Sequence, residues 1–303
     1  RISLAMSEHP VFCIVVTYRP DAAHLQRVLA SIARQTPHII MVDNTPGAHK
    51  CVATSEDVQC ITLGDNLGIA TAQNIGIRQA LSQGADLVWL SDQDTIYPVN
   101  FLTDMLKALG ACQAQGLRLA GLAPSYFDTH KGTVQAFVRH TPFTQFLTPQ
   151  PGLHQVSHAI ASGTLLPANA LREVGLMQEN LFIDWVDLEW CWRAKNQYGY
   201  QTVCTGDVVI EHTMGDGSVQ LVGKKVSIRS PLRHYYMVRN AVHIALYSRS
   251  ATVPIRFEIF AKALAWTLVF PLITPTHKSQ HLRATWNGLW DGLRNRMGQK
   301  NLA

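Results

Sequence analysis

Charge is scarce in this 303-residue chain, with only 16% of its residues being Asp, Glu, Lys or Arg. Acids are scarcest near the C-terminus, where residues 217–303 contain 13 Lys and Arg but only Glu258 and Asp291. Residues 1–216 carry 13 basic against 19 acidic residues, so a net charge of +5 conceals an acidic body and a basic tail. That asymmetry points to an anionic surface or substrate near the C-terminus. No nucleic-acid reader motif accompanies it, so nucleic acid is not expected as a partner. No uncharged apolar run reaches the roughly 18 residues of a spanning helix; the nearest, 259–273, contains Lys262 and Pro271. The N-terminus lacks the basic start and long apolar core of a signal peptide, and residues 1–10 are expected to be a disordered lead-in. The six cysteines form no CxxC pair, which argues for reduced thiols, a cytoplasmic location, and neither a disulfide frame nor a cysteine zinc site. Internal repeats and low-complexity tracts are missing as well.

What is present is an alternation of short apolar runs and helical periodicities. Residues 11–16, 38–42, 58–63, 86–90 and 119–123 read as strands, and 69–83 and 102–114 as helices. Leu25, Val28, Leu29 and Ile32 fall at helical spacing between the first two strands. Residues 124–155 lose periodicity and predict loops with a hairpin. Residues 159–166, 202–203 and 208–211 are strand-like, and the chain is helical and basic from Pro231 onward. Such an order predicts an α/β fold with a mostly parallel sheet, whose ligands bind beyond the carboxyl ends of the strands. The polar clusters fall at those ends: Thr17-Tyr18-Arg19, Asp43-Asn44 and Asp92-Gln93-Asp94.

The segment Phe182-Ile-Asp-Trp-Val-Asp-Leu-Glu-Trp-Cys-Trp-Arg193 sets Asp184, Asp187 and Glu189 among three tryptophans. A carboxylate in a partly dry pocket has a raised pKa and serves as a general base. The competing reading is an acidic first turn that suits the helix dipole. Asp92-x-Asp94 after a strand is either a site for Mg2+ or Mn2+, which take oxygen ligands, or a plain cap for the next helix. Asn66, before Gly68, either caps the helix that follows or meets a ligand. His212 is either a metal ligand or an ordinary histidine at a strand end; Gly215 and Gly217 after it would allow a mobile segment. Arg239 either forks a phosphate or pairs with an acid.

Taken in order, these stretches resemble inverting nucleotide-sugar glycosyltransferases of family two, with the A-type fold. Val15-Val-Thr-Tyr18, Val42-Asp-Asn44, Asn66 to Asn74, Asp92-Gln-Asp94, Ser162-Gly163, Phe182 to Arg193, His212-Thr-Met-Gly215, Arg239-Asn240 and Trp286 to Leu293 carry the resemblance. The pattern is most similar to bacterial rhamnosyltransferases that use dTDP-L-rhamnose, and galactofuranosyl transferases share its acidic motif. The resemblance implies a Rossmann-like catalytic domain at 11–228 and a helical extension at 229–303. It implies that Asp187 is the base and that Glu189 orients base or acceptor. Donor contacts would come from Thr17, Tyr18, Arg19, Asp43, Asn66, Gly68, Asn74, Asp92, Gln93 and Arg239. Acceptor contacts would come from Ser162, Gly163, Asp184 and Trp185, and metal ligation from Asp94 and His212. The acceptor implied is a lipid-linked oligosaccharide of a bacterial cell-surface glycan such as an O-antigen.

Three other functions compete. One is the same chemistry with UDP-galactofuranose or UDP-glucose. Another is a non-catalytic nucleotide-sugar-binding protein. The third is a dinucleotide oxidoreductase, disfavoured because Thr17-Tyr18-Arg19-Pro20 stands where GxGxxG would follow the first strand. Near the C-terminus, Leu282, Trp286, Leu289, Trp290, Leu293 and Met297 fall on one helical stripe among basic residues. That stripe predicts either packing, on the body or in a homo-oligomer, or peripheral attachment to the cytosolic face of the inner membrane.

Overall fold

The computed structural model describes residues 10–48, 50–51, 57–129, 132–212, 217–221 and 224–300, without the side chains of 212, 217–221 and 224–228. All but one residue of the expected lead-in, and the glycine at 215, lie outside it. The first half alternates strands and helices: β1 (Val11–Thr17), α1 (Ala22–Ala33), β2 (Ile39–Asp43), β3 (Val58–Thr62), α2 (Ile69–Ser82), β4 (Leu87–Asp92) and α3 (Phe101–Ala114). There follow β5 (Leu119–Asp128), β6 (Thr133–Val134), β7 (Phe137–His140), β8 (Thr144–Leu147), β9 (Leu153–Val156) and β10 (Leu165–Pro167). The chain continues through α4 (Ala168–Val174), α5 (Val186–Tyr198), β11 (Gln201–His212), β12 (Gly217–Leu221) and β13 (Lys224–Ile228). It closes with α6 (Pro231–Tyr247), α7 (Val253–Ile273) and α8 (Lys278–Leu293).

The main sheet runs β3-β2-β1-β4-β10-β5-β11-β9, with β6 on the edge of β5. β3, β2, β1 and β4 are mutually parallel, as are β5 and β11. β10 is antiparallel to both β4 and β5, and β9 is antiparallel to β11. Successive side chains point to opposite faces and both faces are covered, which explains why β1 is apolar from Val11 to Val16. Val11, Cys13 and Val15 face a core shared with α1 and α3. Phe12, Ile14 and Val16 face the opposite layer, with α2, α4 and α5. A third core joins Trp192 of α5 to Val238, Val242, Ile255 and Ile259 of α6 and α7.

Several expectations need correction. β5 runs on to Asp128 instead of stopping at Ala123, because its residues from Leu119 to Tyr126 are all buried. Of the strand-like 159–166 only Leu165 and Leu166 join the sheet, as the start of β10. The two short strands expected near 202 and 208 are one strand, β11, with an irregularity between Cys204 and Val209. Cys51 and Cys60 form a disulfide; Cys13, Cys112, Cys191 and Cys204 are free and buried. The expected hairpin in 124–155 is β7–β8.

Candidate active site

Register alone lines up the first three polar clusters. Thr17 pairs with Asp43 across β1 and β2, and Val16 pairs with Asp92 across β1 and β4. Neighbouring strands lie about 4.8 Å apart, so these strand ends form one row at the rim of the sheet. Asp43 is buried, and its Oδ1 accepts the Thr45 N–H at 3.0 Å. Thr17 Oγ1 is buried and finds no hydrogen-bond partner among the described residues. The Tyr18 ring and Arg19 are exposed, with the guanidinium 5.4 Å from the ring centroid. Gln93 is occupied: its Oε1 accepts the Tyr18 N–H at 2.7 Å and its Nε2 donates to the Tyr18 carbonyl at 3.3 Å. It shapes the turn after β1 instead of reaching outward.

Asn66 does not cap α2, whose N-cap is Gly68 with no side-chain bond. Asn66 Oδ1 instead accepts the Gly68 N–H at 3.1 Å and Asn44 Nδ2 at 2.9 Å, while Asn44 Oδ1 accepts the Leu67 N–H at 2.7 Å. Gly68 has φ +87°, and a Cβ there would lie 2.6 Å from Phe182, so this close approach excludes a side chain. Asn74 is likewise internal: Nδ2 donates to the Met177 carbonyl and Glu179, and Oδ1 accepts the Met177 N–H. Asn66, Gly68 and Asn74, expected at the donor, thus each have a framework role as well.

Asp187 stands in the first turn of α5. Its Oδ2 accepts the Ala161 N–H at 3.2 Å and its Oδ1 the Leu188 N–H at 3.0 Å. Burial pushes its pKa up to about 6, against the opposing pull of these backbone donors, and the charge of Asp92 raises it further. That coupling brings the acid of α5 into electrostatic reach of the strand-end row. Asp92 is partly exposed and Asp94 exposed, with the Asp94 carbonyl 3.1 Å from His24 Nε2.

The backbone before Asp187 is sharply turned. Phe182, Asp184 and Trp185 all have positive φ, at 66°, 63° and 69°. Each such non-glycine residue costs of order 1 kcal/mol or more and persists only where its surroundings impose it. Here α6 imposes it. Asn240 Nδ2 donates to the carbonyls of Leu181, Ile183 and Asp184 at 2.8 to 3.0 Å. Arg233 grips Asp184 with two nitrogens, at 2.7 and 2.8 Å, and Arg229 adds a third contact at 3.3 Å. Trp185 Nε1 donates to the Met237 carbonyl at 3.0 Å, and its ring lies 6.0 Å from those of both Trp192 and Trp266.

These contacts give several of the expected site residues partners within the protein. Asp184 is held by two arginines, and Trp185 packs against Trp192 and Trp266. Glu189 is fully buried against Arg193 and Gln178, not aimed at a base or acceptor. Arg239 is fully buried and donates to Asn240 and the carbonyls of Leu181 and Gly298, which removes it from any phosphate. Ser162 is buried in a hydroxyl cluster with Thr95 and Tyr97, and the Gly163 N–H bonds the Leu90 carbonyl. Two positioning groups had no sequence signal. Ala161 acts through its backbone, and Tyr126 Oη donates to the carbonyls of Ile160 and Ser162 on either side of it.

For a metal, the rim offers carboxylate oxygens without thiols, a donor set suited to Mg2+ or Mn2+. The carboxylates of Asp92 and Asp94, at the end of β4 and just after it, are the donor type that such an ion takes. Among the described residues no three His, Cys, Asp or Glu side chains converge. His212 ends β11, three positions from β4 in the sheet, and its side chain lies outside the described residues.

The fold and this rim define a glycosyltransferase of the A-type fold. The sequence model of glycosyl transferase family 2 matches residues 12–175, and the chain belongs to that family. It is 31% identical over 304 residues to the dTDP-rhamnosyl transferase RfbF of Shigella flexneri, covering 92% of this chain and 95% of that protein. It is also 32% identical over 190 residues to the galactofuranosyltransferase GlfT1 of Mycobacterium tuberculosis, covering 57% of this chain and 60% of that one. Among solved structures, GalNAc-T7 with UDP, GalNAc and Mn2+ superposes with a TM-score of 0.58 at 11% identity. That match covers 95% of this chain and 56% of the longer enzyme. TarS of S. aureus with UDP-GlcNAc gives 0.56 at 16% identity, over 90% of this chain and 79% of that one. These two likenesses concern the fold.

Proposed function

We propose that this enzyme transfers L-rhamnose from dTDP-β-L-rhamnose to a hydroxyl of a lipid-linked bacterial glycan, with inversion, at the cytosolic face of the inner membrane. The observation that carries the chemistry is Asp187: a partly exposed carboxylate with a raised pKa, within electrostatic reach of Asp92. The nucleotide lies along the strand-end row, with Asp43 and the Thr17-Tyr18 turn on base and ribose and Arg19 beside them. Asp187 takes the proton of the acceptor hydroxyl as its oxygen bonds the anomeric carbon. The bond from that carbon to the diphosphate breaks in the same displacement, dTDP departs, and a β-linked donor yields an α-linked product. Asp92 and Asp94 would hold Mg2+ or Mn2+, which supplies positive charge to the diphosphate when bound.

The choice of rhamnose is supported by the relative named for that donor, which is matched over nearly its whole length, whereas the galactofuranosyl relatives are matched over 60% of theirs. The test is a panel of dTDP-L-rhamnose, UDP-galactofuranose and UDP-glucose with a glycan acceptor, following nucleotide release and the anomeric configuration by NMR. Release from dTDP-L-rhamnose alone, with an α-linked product, is expected. Preference for a UDP-sugar refutes the donor, a retained configuration refutes the mechanism, and tight donor binding without transfer to any acceptor favours a binding protein.

A further inference from the structure

An ordinary surface helix turns polar residues to water. α7 does not. Its inner face, with Ile255, Ile259, Ala263 and Phe270, is buried against its neighbours. Its outer ridge is also apolar: Val253, Phe257, Leu264, Leu268 and Leu272 recur at helical spacing and are all exposed, Phe257 and Leu272 at 72% and Leu268 at 63%. Single exposed apolar residues need no explanation, but a contiguous ridge does.

Two neighbouring elements extend the ridge. Phe143 and Phe146, at the β7–β8 hairpin, are exposed. The Thr144 N–H donates to Glu258 Oε2 at 3.0 Å, pinning that hairpin to α7 beside Phe257. On α8, Leu282, Trp286 and Trp290 are exposed, and the Thr285 hydroxyl donates to the Thr267 carbonyl at 3.1 Å. Leu268 and Trp286 each follow one residue after that contact.

Charge selects what covers this surface. Lys278, Arg283, Arg294 and Arg296 are exposed around it. The two acids of residues 217–303 are both paired, Glu258 with Lys262 at 3.1 Å and Asp291 with Lys300 at 2.8 Å. A second copy of the chain would press two positive surfaces together, and a nucleic acid would offer nothing to the leucines. An anionic lipid surface satisfies both features, with tryptophans and basic side chains at the headgroup level. No described helix is long and apolar enough to cross a membrane.

We propose that the outer ridge of α7, with the hairpin phenylalanines and the α8 tryptophans, docks on an anionic bilayer and enters the headgroup–acyl boundary without spanning it. The proposal identifies the surface that would bring the enzyme to a bilayer-held acceptor, and rests on the function above only for that purpose. The experiment is flotation of the full chain with phosphatidylcholine vesicles, with and without phosphatidylglycerol, at low and high salt. Two variants accompany it, Phe257→Gln/Leu268→Gln/Leu272→Gln and Lys278→Glu/Arg283→Glu. Wild type is expected to float with anionic vesicles at low salt and to lose most binding at high salt. The apolar variant should bind at least tenfold more weakly, with unchanged Tm and unchanged turnover of a soluble acceptor. The charge variant should lose the salt-sensitive part. Wild type that fails to float, or an apolar variant that floats equally well, overturns the proposal. So does a wild type that sediments as a dimer and binds no vesicles, with the apolar variant monomeric. Flotation needs no turnover, so its failure is separable from failure of the catalytic assignment.

Discussion

Asp187 combines two properties that oppose each other, burial enough to raise its pKa and exposure enough to meet a hydroxyl. Replacing it with Asn keeps the shape and removes the proposed base. D187N should lower turnover by about 10²–10⁴-fold, with donor affinity by calorimetry within a few-fold of wild type; near-normal turnover would remove Asp187 from the role. The pH dependence has a definite sign. A base works ionised, so with a pKa of about 6 activity should fall as pH drops through that value and level off above it. A kcat/KM profile that stays flat down to pH 5 would contradict this. At the rim, Asp94→Ala should weaken dTDP binding measured with Mn2+ present, and EDTA should stop transfer until the ion is restored. Full activity after metal stripping would refute the carboxylate assignment.

At the scale of elements, α6 is the unexpected contributor. It holds the turn with positive φ at Phe182, Asp184 and Trp185 that sets up α5, through Asn240, Arg233 and the Met237 carbonyl. Nothing periodic marks that function, because a helix reads the same whether its polar face meets water or a strained turn. α6 is itself held by α8, and here a local signal did exist. Gly288 and Gly292 are four apart on one face of α8, and a Cβ at either would meet the α6 backbone, 2.5 Å from the Tyr235 carbonyl or 2.8 Å from that of Arg239. Forcing larger side chains into such a contact costs about 1–3 kcal/mol. Gly288→Val should therefore lower Tm by several degrees in a calorimetric scan, and turnover should fall with it as α6 shifts from the turn before Asp187. An unchanged Tm would show that the two helices can move apart freely.

Across the whole molecule, the C-terminal helices share their core with the catalytic body. Trp192 of α5 packs with α6 and α7, and buried Arg239 donates to the Gly298 carbonyl beyond α8. A chain truncated after Ser250 would strip the cover from that core. It is expected to lose cooperative thermal unfolding or to aggregate, as read by near-UV circular dichroism and light scattering. A well-folded, active truncation would show that α7 and α8 are an appendage. The expected stripe on α8 divides for the same reason. Leu282, Trp286 and Trp290 face outward, while Leu289 and Leu293 pack on the core of α6 and α7, and Met297 on the layer containing α2.

The α/β alternation, the strand ends that carry Thr17, Asp43 and Asp92, and the acidic helix with Asp187 were all legible in the amino-acid sequence. These depend on local periodicity and on strand direction, which a linear pattern records directly. Which polar residues already have partners became visible only in three dimensions. Asp184, Glu189, Asn74 and Arg239 are as polar as Asp187 in sequence, yet each is occupied by a partner far away in the chain or buried out of reach. The disulfide between Cys51 and Cys60, the length of β5 and the outward ridge of α7 were illegible for the same reason. Each depends on what lies across a gap in space, and distance along the chain carries no record of that gap.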